Sequence, residues 1–404
     1  MIFGTQRSPL AIYFGSGQRR ALPRIVRPIG QRALICSDSR FGDDPHLTAI
    51  RDDLSRSGVT VEVYDRTIAE LPLSCVEEAA GVAKDFGPAV VIGLGGGSCI
   101  DLAKLVALKL AHEGPLCDFY GEFKVPGPVA PVIAVPTTSG TGSEVTPVAV
   151  LADPDRAMKI GISSPHLIPT VAVCDPELTL TCPARLTAIA GADALTHAIE
   201  AFTARRREVT SDLPLDHVFI GKNTMSDAFA RQAVAALSKS LARAVHDGQD
   251  LAAREQTMYG ALAAGQAFGV AGTAAAHAIQ YPIGALTHTP HGLGVAVLMP
   301  YVMSFNRNAC VGELAEIGRL FGVTADGGDD LADGSIEAVA SLFASIGLPS
   351  TLEDLGLDPD RIGWSAEQTL ASARLVKNNP RDLDRAAAER IIRAAYSGDR
   401  SGLN

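Results

Sequence analysis

The segment AVVIGLGGGSCIDLAKLVAL, residues 89–108, decides the fold class of this 404-residue chain. It begins with an apolar run that has no polar alternation, which is typical of a strand buried on both faces of a parallel sheet. A cluster of glycines and Ser98 follows, and the remainder has the spacing of a helix. The segment therefore predicts a strand, a tight turn and a helix, the repeating unit of an α/β fold.

The glycine turn in this segment is a candidate phosphate site. Backbone N–H groups of glycines can approach an anion closely, and the N-terminus of the next helix adds a favourable dipole. The residues that would form the site are Gly95, Gly96, Gly97 and Ser98. Their spacing is not GxGxxG, so a tight strand-to-helix turn without a ligand is an open alternative at this point.

The N-terminal half alternates short apolar runs with longer amphipathic stretches. The order β-α-β-α predicts a mostly parallel sheet with helices on both faces. Strands are predicted at residues 32–38, 59–64, 89–94, 132–135 and 171–174, and helices at 44–57, 73–84 and 99–111.

The pattern changes after Pro183. Long alanine-rich segments, which favour helices, follow with few strand-like runs between them. They cover residues 185–204, 225–245, 251–268 and 385–395. We therefore expect an α/β domain over residues 1–183 and an all-helical domain over 184–404. The chemistry is expected in the cleft between them, because binding sites favour domain interfaces.

A second polar loop, PTTSGTGSEV, follows the strand predicted at residues 132–135. Its hydroxyls and backbone donors suit the phosphate, ribose and nicotinamide of a dinucleotide, although such clusters also occur in ordinary loops. Asp38 ends the first predicted strand, where a carboxylate can bind the adenosine ribose and repel a 2′-phosphate. This favours NAD over NADP. Arg40 weakens that preference, and a capping role for Asp38 is the alternative.

Two pairs of residues in the second half have the character of metal ligands. Asp193 and His197 are four apart on a predicted helix, so their side chains project from one face. His277 and His291 would lie about 21 Å apart on one unbroken helix, so the chain must reverse between them. Three imidazoles and a carboxylate, without thiolates, suit Fe²⁺ or Zn²⁺.

The reversal between the two histidines has candidate breakpoints. Pro282 and Gly284 supply a place to end the first helix. Pro290 is suited to starting the next helix, which would put His291 in its first turn. On spacing alone, His288 competes with His291 for the fourth ligand position.

Composition excludes several classes of function. The formal net charge is -10, and the short cluster Arg205-Arg206-Arg207 is the one basic run, so neither nucleic acid nor a membrane surface is an expected partner. The longest apolar runs are shorter than a membrane span, and the N-terminus lacks a secretory pattern. Scattered cysteines without a CxxC pair suggest neither a disulfide framework nor a cysteine zinc site. We expect a cytoplasmic protein.

Taken together, these segments resemble the iron-containing, or group III, alcohol dehydrogenase family. They follow the family's order over most of the chain. The matching stretches are GLGGGSCIDLAK (93–104), AVPTTSGTGSEVTPVAV (134–150), VCDPELTLTCP (173–183), GADALTHAIEAFTA (191–204), GKNTMSDAFA (221–230), AAGQAFGVAGTAAAHAIQYPIGALTHTPHG (263–292) and NNPRDLD (378–384).

The resemblance implies a Rossmann-like N-terminal domain, a helical C-terminal domain and a homodimer. It implies a metal-dependent enzyme that transfers hydride between NAD(H) and a small alcohol, aldehyde or ketone, with Fe²⁺ as the leading metal and Zn²⁺ as the alternative. It also selects His291 over His288. The implied metal ligands are Asp193, His197, His277 and His291, and the implied cofactor positions are Gly95, Gly96, Gly97, Ser98, Asp101, Lys104, Thr137, Thr138, Ser139, Ser143, Leu178 and Thr179.

The resemblance also implies functions for two residues close to the metal and the substrate. Many members carry a further histidine four residues after the third ligand, where this chain has Tyr281. Tyr281 can relay a proton, but its ordinary pKa near 10 makes it a poorer shuttle at neutral pH. Phe268 matches a substrate-side aromatic, and an ordinary apolar helix position is the alternative.

Other functions remain compatible with these residues. A hydroxyacid–oxoacid transhydrogenase, or another reductase of the same superfamily, would carry similar metal and cofactor elements. A non-catalytic protein that binds nucleotide and metal is the alternative from a different class, and it predicts binding without turnover.

Overall fold

The computed structural model describes residues 2–155 and 159–403. These residues divide between two compact units. One unit contains residues 7–182 with 216–218, and we call it the sheet unit. The other contains the chain up to Gln6 together with residues 183–215 and 219–404, and we call it the helical unit.

The sheet unit contains two sheets. The larger has the strand order β1-β9-β6-β4-β2-β3, and every neighbouring pair in it is parallel. The smaller has the order β5-β8-β7, with β7 antiparallel to β8. The strands are β1 Ala11–Phe14, β2 Arg32–Cys36, β3 Thr60–Tyr64, β4 Val90–Gly95, β5 Gly121–Glu122, β6 Val132–Pro136, β7 Val148–Leu151, β8 Ile160–Ser163 and β9 Val171–Cys174.

Helices cover both faces of the larger sheet, as the β-α-β-α pattern predicts. Successive residues of β2 alternate between two cores, because side chains along a strand point to opposite faces. Ala33 and Ile35 lie in the core that contains residues of α1 and α3, whereas Leu34 and Cys36 lie in the core that contains residues of α4 and α5. The helices of this unit are α1 Leu22–Val26, α2 Ser39–Gly42, α3 Pro45–Arg56, α4 Leu73–Phe86 and α5 Gly97–Ala111.

The chain after residue 182 is helical, as its alanine-rich segments predict. Apart from the isolated bridge between Arg206 and Gly221, no β-pairing occurs in this part of the described chain. The helices are α6 Ala184–Thr203, α7 Leu213–Asp216, α8 Thr224–His246, α9 Leu251–Ala271, α10 Ala275–Thr287, α11 His291–Asn306, α12 Val311–Phe321, α13 Gly328–Ser345, α14 Ile362–Thr369, α15 Ala373–Asn378 and α16 Arg385–Ser397.

The long helices α6, α8 and α9 pack closely because small residues lie at their crossings. A Cβ atom at Gly260 of α9 would lie 2.6 Å from Cγ of Leu237 on α8, so a larger residue there would force the two helices or Leu237 to move. The resulting core consists largely of alanine, with leucine, valine and isoleucine between the helices. It encloses most of α6, which carries the first pair of candidate ligands. No helix in the described ranges is long and apolar enough to cross a membrane.

Candidate active site

Helix α6 positions the first pair of candidate metal ligands. Asp193 and His197 lie one turn apart on this alanine-rich helix, and 6% and 7% of their side chains are exposed. The Oδ1 atom of Asp193 is 3.7 Å from Nε2 of His197. The spacing of four residues therefore brings both side chains to the same buried face, as the helical period requires.

The second pair comes from two consecutive helices. His277 lies in the first turn of α10, and His291 is the first residue of α11, directly after Pro290. Between them the chain reverses at His288, which has the left-handed φ of 53° and is exposed. His288, the competing ligand candidate, thus lies outside the cluster formed by the other histidines.

The prediction of where the helix that carries His277 ends was wrong. Helix α10 continues through Pro282 and Gly284 and ends at Thr287. A proline removes one backbone hydrogen bond, but it does not by itself reverse the chain. Ile279 and Ile283 are fully buried on either side of Pro282, and their packing in the helical core holds the helix through this region. The prediction that Pro290 begins the next helix is confirmed.

Asp193, His277 and His291 form a compact group of possible ligands. One ligand atom from each lies within 4.8 Å of the others. Asp193 Oδ1 and His277 Nε2 are 3.6 Å apart, too far for a good hydrogen bond. Neither atom has a hydrogen-bond partner among the described residues, although both are buried. Buried polar atoms without partners are costly, and a divalent ion with N and O preference fits this donor set.

His197 lies beside this group and is not within 4.8 Å of all its members. Its ring stacks on that of His277, with centroids 4.7 Å apart, and on that of Phe268, with centroids 4.1 Å apart. Phe268 therefore contacts a candidate ligand directly. The structure brings His197 near Asp193 and stacks the aromatic ring of Phe268 on the His197 imidazole.

The charges of the site favour a bound cation. Burial alone would raise the pKa of Asp193, but His197, His277 and His291 lower it well below its usual range. Burial likewise opposes protonation of His277, yet the charges of Glu200 and Asp193 raise its pKa to about 9. The two carboxylates thus hold positive charge on the imidazole between them. A metal ion competes with that proton, because a ligating histidine must be neutral.

Glu200 is a residue of this region that the sequence analysis did not select. It lies on α6, three residues after His197, and its carboxylate is buried. It accepts a hydrogen bond of 2.6 Å from His277 Nδ1 and bonds from the backbone N–H groups of Ala274 and Ala276. Its spacing from Asp193 and His197 on one helix was the available signal, since residues three, four and seven apart share a face.

Tyr281 lies next to His291. The two rings stack with centroids 5.8 Å apart and an interplanar angle of 19°. Burial is the main cause that raises the pKa of Tyr281, and the carboxylates of Glu200 and Asp193 raise it further, whereas Arg374 lowers it. The phenol therefore stays protonated at neutral pH.

In the sheet unit, the two candidate phosphate and nicotinamide loops lie against each other. Strand β4 ends at Gly95, and α5 begins at Gly97. A Cβ atom at Gly97 would lie 2.6 Å from Cγ2 of Thr141, and one at Gly96 would lie 3.5 Å from Oγ1 of Thr138. A side chain at Gly97 would therefore displace Thr141, at the point where the loop after β4 meets the loop after β6. Ser98 follows in the first turn of α5, where backbone N–H groups remain available to an anion.

Asp38 caps a helix in this structure. It is the N-cap of α2, and its carboxylate accepts a 3.1 Å hydrogen bond from the backbone N–H of Phe41. A Cβ atom at Gly95 would lie 3.8 Å from its Oδ2, so the carboxylate adjoins the glycine turn. Arg40 donates a 2.9 Å bond to Oγ1 of Thr137. Asp38 therefore does cap a helix, which was the alternative to ribose binding. In this capping position its carboxylate still lies beside the glycine turn.

Several other predicted cofactor residues make internal bonds. Asp101 accepts hydrogen bonds from Ser143 Oγ at 2.5 Å and from the backbone of Val150 at 2.9 Å. Lys104 donates to the main-chain oxygens of Thr146 and Val148. These bonds hold the loop after β6 against α5. Thr137 and Ser139 are buried and Thr138 is half-buried, all within that loop.

The last two predicted cofactor positions follow β9. Leu178 is fully buried among the apolar residues on the α1 and α3 face of the sheet. The hydroxyl of Thr179 donates to the main-chain oxygen of Pro176 at 2.7 Å. Both therefore stabilise the short turn of residues 176–179, at the carboxyl end of the strand.

Two family models match this chain. The model described as iron-containing alcohol dehydrogenase matches residues 9–176, and the model of the C-terminal part of the Fe-containing alcohol dehydrogenase family matches residues 187–396. Long-chain-alcohol dehydrogenase 1 of Geobacillus thermodenitrificans is 33% identical over 382 residues, which are 93% of this chain and 92% of that protein.

Two further comparisons show similarity in sequence and in fold. The NAD-dependent methanol dehydrogenase of Bacillus methanolicus is 32% identical over 92% of this chain and 94% of its own length. A crystal structure of a 1,3-propanediol oxidoreductase aligns with a TM-score of 0.91 and 31% identity, covering 98% of this chain and all of that one. The resemblance found in the sequence motifs and the two-part fold that it implies are confirmed.

Proposed function

The chain belongs to the iron-containing alcohol dehydrogenase family, and from that premise we propose that Asp193, His197, His277 and His291 hold its metal ion. The protein is an NAD-dependent oxidoreductase that transfers hydride between the cofactor and a small alcohol or aldehyde. One observation carries the assignment. Asp193, His277 and His291 bring ligand atoms within 4.8 Å of one another, with Asp193 and His277 buried and His291 half-buried.

His197 completes the proposed ligand set. Its Nε2 atom lies 3.7 Å from Asp193 Oδ1, and its ring stacks on that of His277. These contacts place His197 beside the other three residues, and its imidazole would be the fourth ligand of the ion. Three imidazoles and one carboxylate suit Fe²⁺, the metal of the family's name, and they also suit Zn²⁺.

The chain's own residues prepare the site for the reaction. When bound, the divalent ion supplies a Lewis acid that polarises the substrate oxygen, and NAD carries the hydride. Asp193, His197, His277 and His291 would hold that ion in place. Tyr281, whose ring stacks on His291, holds a proton at its phenol oxygen and is the proposed relay between the substrate and solvent. Phe268, stacked on His197, is the proposed apolar contact for the substrate.

We propose that NAD binds in the sheet unit at the two adjoining loops. Gly95, Gly96, Gly97 and Ser98 would receive the pyrophosphate at the start of α5, because backbone N–H groups and the helix dipole favour an anion there. Asp38, beside the glycine turn, would bind the adenosine ribose.

The remaining proposed cofactor residues fall into two groups. Thr137, Thr138, Ser139 and Ser143 would line the nicotinamide side of the site. Asp101, Lys104, Leu178 and Thr179 would support these loops through the internal bonds and packing described above. The polar side-chain atoms of Asp101, Lys104 and Thr179 already have protein partners and Leu178 is buried in the apolar core, which favours a supporting role over direct contact with the cofactor.

The substrate that we propose is a small alcohol or its aldehyde. The relatives are named for long-chain alcohols, methanol and 1,3-propanediol. The substrates in these names differ in length and polarity. The test is absorbance of reduced nicotinamide with a panel of alcohols and aldehydes, with and without chelator and with added Fe²⁺ or Zn²⁺. Turnover that requires metal is expected, and metal-loaded protein that turns over no member of a broad panel contradicts the proposal.

We also propose a cytoplasmic homodimer with a domain boundary at Pro183. Strand β1 forms one edge of the larger sheet, and its Ile12 and Tyr13 are exposed, as is the preceding Leu10. An edge strand with apolar side chains favours pairing with a second copy. Light scattering should give twice the monomer mass. A monomer at micromolar concentration contradicts the dimer.

A further inference from the structure

A buried carboxylate, Glu200, lies behind the proposed metal ligand His277. Only 1% of Glu200 is exposed. Its Oε2 atom accepts hydrogen bonds from His277 Nδ1 at 2.6 Å and from Ala274 N at 2.8 Å, and its Oε1 accepts from Ala276 N at 2.7 Å. All three donors lie at the start of α10. The N-terminus of α10 therefore fixes the side chain of Glu200, which belongs to α6.

These bonds fix the imidazole of His277. An ionised carboxylate can only accept hydrogen bonds, so the short contact requires a proton on Nδ1. A neutral imidazole then has its lone pair on Nε2, the nitrogen that faces Asp193 at 3.6 Å. Nε2 has no hydrogen-bond partner among the residues that the structure describes. Glu200 thus sets which nitrogen is available to a metal ion and in which direction it points.

The second effect of Glu200 is electrostatic. Asp193 and Glu200 place two negative charges on opposite sides of the His277 ring. A divalent cation beside Asp193 would balance the two negative charges of Asp193 and Glu200, so the buried group would be neutral. Without Glu200, the cation and Asp193 alone would leave a net positive charge. Buried net charge is strongly disfavoured, so Glu200 should strengthen metal binding even though it is not a ligand.

We propose that Glu200 is a positioning residue of the metal centre, which holds His277 in the tautomer and orientation that bind the ion. This inference rests on the proposed role of His277 as a ligand. Glu200 also caps α10, since Ala274 at the N-cap has no capping side chain of its own. The experiment must therefore separate a contribution through His277 from a contribution to the helix alone.

The test is a double-mutant cycle with Co²⁺ as the probe. We would measure Co²⁺ affinity by chelator competition, together with the cobalt absorption spectrum, in the parent chain, Glu200→Gln, His277→Ala and the double variant. We expect Glu200→Gln to weaken Co²⁺ binding about 10- to 100-fold in the parent background, the usual range for a partner of a metal-bound histidine. In the His277→Ala background, the same substitution should change affinity less than about 2-fold.

Thr203→Val is the matched control on the same helix. It removes the buried hydroxyl that donates to Ile199, one turn from Glu200, and it does not touch His277. Its Co²⁺ affinity and spectrum should match those of the parent. If Glu200→Gln does not fold, Glu200→Asp, which keeps the charge on a shorter side chain, replaces it in both backgrounds.

The possible outcomes separate the two proposals. Glu200→Gln with parental affinity, or with an equal loss in both backgrounds, overturns the positioning role. A parent chain that binds neither Co²⁺ nor Fe²⁺ overturns the proposed metal site itself. A cobalt spectrum that changes in Glu200→Gln but not in Thr203→Val supports a change at the ion rather than a general loss of packing.

Discussion

Lys104 Nζ donates a 2.8 Å hydrogen bond to the main-chain oxygen of Val148, although no part of the lysine is exposed. It also donates to the main-chain oxygen of Thr146 at 3.0 Å and lies 3.8 Å from Oδ1 of Asp101. One buried ammonium therefore ties α5 to β7 and to the loop before it.

Replacing this lysine should destabilise the sheet unit. In Lys104→Met, two buried carbonyls lose their donor and the nearby carboxylates lose their compensating charge, so the free energy of unfolding should fall by roughly 3 kcal/mol or more. Urea denaturation measures this value. Lys109→Met is the control on the same helix, because Lys109 is partly exposed, and both its 2.8 Å hydrogen bond to the main-chain oxygen of Gly114 and its 3.8 Å ion pair with Glu77 lie at the surface. It should cost less than about 1 kcal/mol, and an equal cost in the two variants contradicts the prediction.

Glu144 should make stability depend on pH. Burial raises its pKa to about 7, although a backbone hydrogen bond and the charge of Lys104 act to lower it. A raised folded-state pKa means that the folded chain binds the proton more tightly. The contribution to stability is therefore complete below the unfolded pKa, near 4.5, and is lost as pH rises through about 7. The loss from this residue should be roughly 3 kcal/mol.

The measurement for Glu144 is the unfolding free energy of the parent and Glu144→Gln between pH 4.5 and 8. The difference between the two should change across this window, because glutamine cannot titrate. A constant difference contradicts the assigned origin of the pH dependence. Glu62→Gln is the control, since Glu62 lies on the half-exposed edge strand β3 and should leave the curve unchanged.

The sequence predicted the parts of the fold that local pattern controls. The five strands predicted at residues 32–38, 59–64, 89–94, 132–135 and 171–174 all form, because each is rich in the apolar and β-branched residues that favour strands. Strand β1 was not predicted. It has four residues at the edge of the sheet, and its pairing with β9 depends on partners about 160 residues away, which no local pattern encodes.

The candidate site divides in the same way. Helical spacing was enough to place Asp193 beside His197, because both lie on one helix. The first helix was expected to end at Pro282 and Gly284, but the chain reverses at His288, since packing of Ile279 and Ile283 outweighs the local effect of a proline. Glu200 was missed because its partner, His277, lies 77 residues away in the chain.

His277→Ala should remove metal and activity together. It deletes a proposed ligand and leaves Glu200 without its side-chain partner, so metal affinity should fall at least about 100-fold. Metal content and kcat/KM on the same preparations measure the effect. His288→Ala is the matched control, because His288 is exposed and outside the cluster. Full metal occupancy and activity in His277→Ala would rule out the ligand assignment.

Asp38→Asn should lower the preference for NAD over NADP. Asparagine caps a helix as well as aspartate does, so the hydrogen bond from Phe41 N can persist while the negative charge is removed. We expect the ratio of kcat/KM for NAD to that for NADP to fall about 10-fold, with stability changed by less than about 0.5 kcal/mol. Asp44→Asn, which alters the analogous cap of α3 at His46 N, should leave the ratio unchanged. An unchanged ratio in Asp38→Asn contradicts the ribose role.

Tyr281 offers a test of the proton path that leaves the ligands intact. Because burial raises its pKa, the phenol should act as a neutral donor and acceptor, and it should add no ionisation to the pH profile of kcat between pH 6 and 8. Tyr281→Phe should lower kcat about 10-fold with unchanged metal content. Tyr281→His, which introduces an imidazole with an ordinary pKa near 6.5, should restore turnover and add a new inflection to the profile. If Tyr281→Phe retains full kcat, the proton reaches solvent by another route.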